Sequence, residues 1–572
     1  MNADPRTPTS EPTGAPTDEV APEDAARAIR ANSVVMAVGT VFSRLSGFIR
    51  AALLVTALGA GVRADVFALG NTIPNAIYIL LAGGIFNAVL VPQLVRALKN
   101  DEDGGEGYTN RIITLAALFL GAVTLALVAA APWVMELYLS AKYDTAALAE
   151  HKDSAIALAR YCLPQVFFYG MFVLVGQVLN ARGTFGPMMW APIANNVIAV
   201  AVLVAYLVLY GRAGEVAAQG ALSPGQEVLL GVGSTLGIVA QFLILLPFLR
   251  RSGFLYRPRF DFRGTGLGHT LRLGSWTVLF VVVNQIAWTV VVNLASSGPV
   301  SGEGGTGFAV YSYSMLIVML PHAIVTVSLA TAALPRLSSY AADGRPDLLA
   351  RSLTSTLRTC LVVVVPFAAL VPVLAWDIAN VVYGFSDDPE TVGSFVPSLR
   401  LFGIGLVLFT VHYLMLRGFY ALERTRTVFF IQCAVAGTNV VAAVLLVREA
   451  SAVDTSPALV IAYATAYLVG SVVSYAVLRR TLGGLDSTRM LRFAIRLVAV
   501  VALSTALAWL VSLGLDALGQ QPNPLVSLGR GAVVGTVDLV ALVLLARLFR
   551  LGEVGELVDP VLDTVRRRLP RR

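Results

Sequence analysis

The chain has 572 residues, of which 56% are hydrophobic and 13% charged, with a mean hydropathy of +0.74 and a formal net charge of +7 at pH 7. That balance excludes an ordinary water-soluble protein. The three cysteines, Cys162, Cys360 and Cys433, lie in separate apolar runs, which argues against a disulfide framework or a CxxC metal site. The basic residues are almost all arginine, a usage that fits a GC-rich genome and not nucleic-acid chemistry, so no nucleic-acid partner is expected.

Residues 1–28 are rich in Pro, Thr, Ala, Asp and Glu and have no apolar core, the composition of a disordered tail. They also lack the pattern of a removable signal peptide. Fourteen apolar spans long enough to cross a bilayer as helices follow, near 32–57, 66–93, 110–139, 154–180, 187–210, 227–249, 271–297, 308–335, 352–383, 395–421, 427–447, 457–478, 490–514 and 526–549. The expected fold class is an all-α polytopic membrane protein.

Loop charge sets the expected orientation. Of 42 Lys and Arg, 32 lie in the terminal tails or at the even-numbered loops, seven at the odd loops, and Arg44, Arg50 and Arg160 lie within spans. The positive-inside rule then places both termini in the cytoplasm.

The spans are also duplicated. Asn196 to Leu203 resembles Asn439 to Leu446, and Val91-Pro92-Gln93-Leu94 echoes Leu334-Pro335-Arg336-Leu337, both at an offset of 243. Pro74-Asn75-Ala76-Ile77 echoes Pro321-His322-Ala323-Ile324, and Leu249-Arg250-Arg251 echoes Leu478-Arg479-Arg480. The expected organisation is an N-terminal tail (1–30), two six-span lobes (31–250 and 251–480), two further helices (481–550) and a basic tail (551–572). Transporters with parallel repeats of this kind hold substrate between the lobes and rock them.

The first span carries the strongest chemical signal. At about 100° per residue, Thr40, Ser43, Arg44, Ser46, Gly47 and Arg50 share one arc, while Phe42, Leu45, Phe48, Ile49 and Ala52 take the other. A charge at mid-bilayer costs roughly 2.5–3.5 kcal/mol on insertion scales, so it faces a protein interior or a watery cavity unless it snorkels out. Guanidinium offers a planar fork of donors that matches phosphate oxygens. In span 2, Asn71 and Asn75 accompany Pro74 and Gly83-Gly84, a pattern for a kinked packing helix or a gate. Asp65, at the mouth of span 2, is placed to pair with Arg63 or Arg50, or to cap its helix. Asn284, Gln285 and Asn293 in span 7 serve as interhelical glue or as ligands. His322 and His412 are packing histidines or proton-coupled groups. Asp538 is an intramembrane carboxylate whose partner the sequence does not show, and Glu136 and Asp377 are expected to reach water. The candidate substrate-binding set is thus Arg44, Arg50, Ser43, Asp65, Asn71 and Asn75. The gating or coupling candidates are Pro74, Gly83, Gly84, Asn284, Gln285, His322 and His412. No Walker loop, HExxH or Cys/His cluster is present, so neither a catalytic role nor a cofactor or metal is expected.

The segment Val41-Phe-Ser-Arg-Leu-Ser-Gly-Phe-Ile-Arg50, with Leu58-Gly-Ala-Gly61, Ala64-Asp-Val-Phe67, Ile73-Pro-Asn75, Phe86-Asn87 and Val91-Pro92, resembles the opening of the MurJ (MviN) lipid II flippase family of the MOP exporter superfamily. Gly418-Phe419 and Tyr420 to Thr427 resemble that family's turn after span 10, and Ala131-Pro132-Trp133 and Asn180-Ala181 also fit. The resemblance implies two lobes around a cationic cavity, with the last two helices shaping a lipid groove. It further implies movement of undecaprenyl-diphosphate-linked disaccharide-pentapeptide from the inner to the outer leaflet of a bacterial cytoplasmic membrane. The implied partners are lipid II or a related polyprenyl-diphosphate glycan, the bilayer, and cell-wall synthesis and division proteins. The implied drive is the membrane potential, H+ or Na+. The chain departs from the family pattern at Ala51, where many relatives are acidic, at Ala76 to Ile79, where many are basic, and across 311–320, which lacks an arginine. A less cationic cavity is therefore expected. The rival readings are a flippase for another polyprenyl-linked glycan, a cation-coupled drug exporter of the same superfamily, and a cell-wall scaffold without transport.

Overall fold

A computed structural model of the chain describes residues 42–43, 45–80, 94, 97, 103, 105–184, 186–213, 220–262, 267–386, 388–517 and 523–555, with the backbone alone for 267–274. Arg44, Gly83 and Gly84 lie outside the described residues. The described chain is helical almost throughout. Helix α1 (Leu45–Leu58) and α2 (Val62–Ile79) are followed by α3 (Glu106–Ala129), α4 (Ala131–Tyr138), α5 (Ala149–Cys162), α6 (Gln165–Ala181), α7 (Gly186–Tyr210), α8 (Pro224–Leu243) and α9 (Leu245–Arg251). The second half holds α10 (Leu267–Ala295), α11 (Phe308–Val318), α12 (Val327–Ala342), α13 (Pro346–Leu370), α14 (Ala375–Tyr383), α15 (Pro389–Ala421), α16 (Thr425–Glu449) and α17 (Thr455–Leu482). Two long helices, α18 (Ser487–Asp516) and α19 (Pro524–Leu548), close the described chain.

Eleven of these stretches are long and apolar enough to cross a membrane, and the bent pair α11–α12 makes a twelfth. They coincide with the third to fourteenth expected spans. The first two expected spans reach into residues outside those described, so for them the count of fourteen rests on sequence. Large apolar side chains such as Phe119, Leu125, Val208, Val472 and Leu544 point outward, as helices bathed in hydrocarbon require.

Breaks fall where the sequence removes backbone donors. Pro164 separates α5 from α6. Pro321 precedes a π-turn, His322–Thr326, and the axes of Phe308–Val318 and His322–Ala342 differ by 51°. A missing N–H and a widened turn are the usual causes of such bends. Pro74, by contrast, sits buried inside an α2 that runs through it. Helix α8 opens with a capping box in which Ser223 and Gln226 satisfy each other's backbone N–H.

The buried apolar residues form three main cores. One unites both halves at the end bearing the odd-numbered loops: Leu54, Phe67, Met135 and Leu158 pack in the same cluster as Val292, Phe308, Tyr383 and Phe402. At the other end each half keeps a core of its own, around Leu120, Phe172 and Leu245 in the first half and around Leu353, Phe419 and Leu497 in the second. The halves are joined at one end and separately packed at the other.

Helices α18 and α19 belong to the second half. Arg530 reaches Asp516 at 2.6 Å and Asp377 at 3.5 Å, and Asn380 donates to Ser527 at 2.9 Å. Asp377, expected to reach water, is instead 3% exposed, because Arg530 from α19 lies against it. Glu136 is exposed. Asp538 is buried against Ser504 and Thr505 of α18.

Candidate functional site: a cavity between the halves

Between the halves lies a cavity of about 580 Å³, lined by α1, α2, α6, α7 and α8 from the first half and by α10 and α11 from the second. Arg50 is half-buried on its wall and, among the described residues, forms no ion pair. No other charged side chain lines the cavity among those residues. The remaining polarity is amide and hydroxyl. Asn71, Asn75, Asn284 and Gln285 all face it, as do Gln165, Asn195 and Asn196. Aromatic surface comes from Tyr169, Trp288 and Tyr313, and both tyrosines lie close enough to Arg50 to feel its charge.

The amides are held in place by one another and by backbone. Gln165 donates to the Asn71 side-chain carbonyl at 3.1 Å. Gln432 donates to Asn284 at 3.1 Å. Gln285 crosses to the first half and donates to the Ala76 carbonyl at 2.9 Å. Asn196 donates to the Ser43 carbonyl at 3.0 Å and to the Ser46 hydroxyl at 2.8 Å, which fixes α7 to the polar arc of the first span. The apolar arc faces the other way: Phe42, Leu45 and Ile49 are exposed. Asn75 alone of these amides is exposed, so its side chain is free to meet a ligand.

Besides Pro74, which is buried within α2, four of the sequence candidates sit elsewhere. Ser43 contributes its backbone carbonyl to Asn196 and does not line the cavity. Asp65 is fully buried and pairs with neither Arg63 nor Arg50, nor does it cap its own helix. Its two carboxylate oxygens accept the backbone N–H groups of Phe308 and Ala309 at 2.8 and 2.7 Å, so it caps α11 in the opposite half. Arg63 turns to the carbonyls of Gly220 and Ala221 instead. His322 and His412 are buried inside the second half, where His322 meets the Thr410 hydroxyl at 3.0 Å and His412 the Ser474 hydroxyl at 3.3 Å.

Sequence reading overlooked Gln165, Asn195, Asn196, Tyr169, Trp288 and Tyr313 as cavity residues. Asn196 carried a signal, a polar residue repeated 243 positions later as Asn439, but it served only to register the duplication.

Further bonds join the halves at the shared-core end. The Ser296 hydroxyl accepts the Ser140 N–H at 2.7 Å, Lys142 donates to Ser301 at 2.6 Å, and Asn293 donates to the Leu139 carbonyl at 2.7 Å.

A two-half helical bundle of membrane-crossing length, enclosing a polar cavity between its halves, defines a polytopic transporter. A family model described as Lipid II flippase MurJ matches residues 54–520, and the chain belongs to that family, which is one of transporters and not of catalysts. The chain is similar to a probable lipid II flippase MurJ of Vibrio cholerae serotype O1, 27% identical over 69% of this chain and 73% of that protein. It is likewise similar to the lipid II flippase MurJ of Burkholderia cenocepacia, 25% identical over 85% and 90%. Among solved structures, a lipid II flippase MurJ in an inward closed conformation shares the fold with a TM-score of 0.67 at 16% identity, over 90% of this chain and 99% of that one. An inward-facing multidrug resistance MATE family transporter of the MOP superfamily matches with a TM-score of 0.58 at 15% identity, over 77% and 95%.

Proposed function

We propose that this chain moves lipid II, the undecaprenyl-diphosphate-linked peptidoglycan precursor, from the inner to the outer leaflet of a bacterial cytoplasmic membrane by alternating access. The observation that carries this reading is a cavity between the halves whose one charge among the described residues is Arg50 and whose other polarity is amide. A diphosphate is a compact double anion that the guanidinium fork fits, and sugar hydroxyls both donate to and accept from amides. Arg44, on the same arc of the first span, is the second cation for that diphosphate. The lobes are residues 31–250 and 251–480, and α18–α19 offer the lipid tail a groove beside the second lobe. Both termini lie in the cytoplasm, so the end where the halves share a core is the outer one. Asp65, the 139–142 turn and α10 then close the outer mouth while substrate enters from within.

The bilayer and proteins of cell-wall synthesis and division are the partners this role requires. The drive is the membrane potential, which acts on any charge that crosses with about 2.3 kcal/mol per 100 mV, or a coupled H+ or Na+. The test is depletion of a host's own flippase with this gene supplied in trans, scoring outer-leaflet lipid II with an externally added cleaving enzyme. Rescue by the wild-type chain is the expected result, and failure to restore surface lipid II rejects the reading.

A further inference from the structure

The inner ends of the two halves are related in a way that exposes an empty seat. In the first half, the segment that follows α9 is laid along the start of α3. The Arg257 N–H donates to Asn110 at 2.7 Å, the Arg259 N–H donates to the Thr114 hydroxyl at 3.1 Å, and Arg111 pairs with Asp261 at 3.0 Å. Asp103 accepts the Gly107 N–H at 2.7 Å, and the Arg259 guanidinium leaves no room for a Cβ on Gly107. The residues of the first half that receive this segment are therefore Gly107, Asn110, Arg111 and Thr114, with Asp103 capping the helix start beside them.

At 244 positions later Asp103, Gly107, Asn110 and Thr114 correspond to Asp347, Arg351, Thr354 and Arg358 on α13, and Arg111 to Ser355. Asp347, Arg351, Thr354 and Arg358 line a cavity of about 500 Å³, which Gly483, Gly484, Asp486 and Arg489 close from the other side, so two carboxylates stand among its three arginines. No chain segment fills it among the described residues, because the turn after α17 passes directly into α18. The face has changed character as well. Two arginines stand where the first half has a glycine and a threonine, and neither Arg351 nor Arg489 forms an ion pair among the described residues.

One edge of this groove is already occupied by the chain's own end. Arg358 pairs with Glu553 at 2.7 Å, both side chains being at most 20% exposed. Leu551 and Val554 are buried in the same core as Leu349 and Leu353. The sequence continues from there to Arg572 and places Glu556, Asp559 and Asp563 next. Six extended residues from Glu553 to Asp559 span about 20 Å, while Arg351 lies only about 10 Å along the helix from Arg358. Asp559 precedes Pro560, which biases it to the extended backbone a laid-down segment needs.

We propose that this groove is the seat of the chain's own C-terminal segment, residues 556–563, whose carboxylates meet Arg351 and Arg489 beside the existing Arg358–Glu553 pair. The second half then acquires by its tail the packing that the first half acquires from the segment after α9.

The test uses the full chain in lipid nanodiscs, with Ala350→Cys in the groove wall and Val558→Cys in the tail. Mild oxidation should give a disulfide-linked peptide by mass spectrometry. The yield should fall at least tenfold in an Arg250→Cys/Val558→Cys pair, whose first site lies at the inner end of the other half, and also when Arg351→Glu is added. Equal yields in these pairs, or none in the first, overturn the proposal. A chain ending at Gly555 should bind a labelled peptide of residues 556–564 at least tenfold more tightly than the full chain does, because a tethered segment sits at an effective concentration of about millimolar. Equal binding to both chains, or binding to neither, overturns it too. If vesicles rich in phosphatidylglycerol, and not the tail, protect Ala350→Cys from alkylation, a lipid headgroup is the occupant and the proposal fails.

Discussion

Asp65 and Phe308 are 243 residues apart in sequence and 2.8 Å apart between carboxylate oxygen and amide nitrogen. That separation equals the offset of the internal duplication, so a residue at the start of one half caps the helix that starts at the matching place in the other. The first orphan N–H groups of α11 and the positive end of its dipole are satisfied by a charge from across the interface. The bond exists only while the two halves meet at this end. Removing the carboxylate with Asp65→Ala should cost about 1.5–3 kcal/mol of that closed arrangement. Alkylation of a Ser296→Cys reporter, fully buried at the same end in this closed arrangement, should rise roughly tenfold or more, and Asp65→Asn, which keeps one acceptor, should fall between. An unchanged reporter would falsify the cap as a latch.

Gly307 permits that cap. A Cβ there would collide with the Asp65 carboxylate and the Pro299 ring. Gly307→Ala should therefore reproduce the Asp65→Ala phenotype and lower the melting temperature. Gly302→Ala, whose added methyl meets only the Ala452 side chain at 3.6 Å, should leave both unchanged.

Arg50 is the cavity's one charge among the described residues. Arg50→Ala should lower outer-leaflet lipid II in the complementation assay at least tenfold, since a lost charge-assisted pair is worth about 1.5–3 kcal/mol. Arg50→Lys keeps the charge but loses the fork, so it should recover only part of the signal. Normal growth of the alanine variant would remove the diphosphate from this site.

Arg530 joins α19 to Asp377 and Asp516. Arg530→Met leaves Asp377 buried without its cation and should destabilise the protein by about 3 kcal/mol. Asp377→Asn added to it should restore much of that loss, because the second change removes the stranded charge. A thermal melt of the three variants in one detergent checks this.

The helices themselves were legible because apolar runs of bilayer length leave few alternatives, and the third to fourteenth expected spans each coincide with a helical stretch. Faces were legible too. The 100° arithmetic separated Phe42, Leu45 and Ile49 from Ser46 and Arg50: the first three are exposed, while Ser46 bonds Asn196 of α7 and Arg50 lines the cavity. Partners were not. Asp65 offered arginines close in sequence, yet its acceptors bind backbone amides, which have no identity in a sequence. Asp377 and Arg530 are 153 residues apart and meet only because α14 packs on α19. The amide lining was partly legible: span 2 advertised Asn71 and Asn75 and span 7 Asn284 and Gln285, whereas Gln165, Asn195 and Asn196 were not singled out as lining.

The amide lining has a consequence for acidity. Asparagine and glutamine neither gain nor lose a proton in water at any physiological pH. Among the described residues, an amide wall of this kind offers nothing that titrates between mild acid and mild base. Its grip on a diphosphate should be level across that range, so a transport rate that rises or falls with acidity would have its origin in the moving parts or in the driving ion, outside the walls of the cavity.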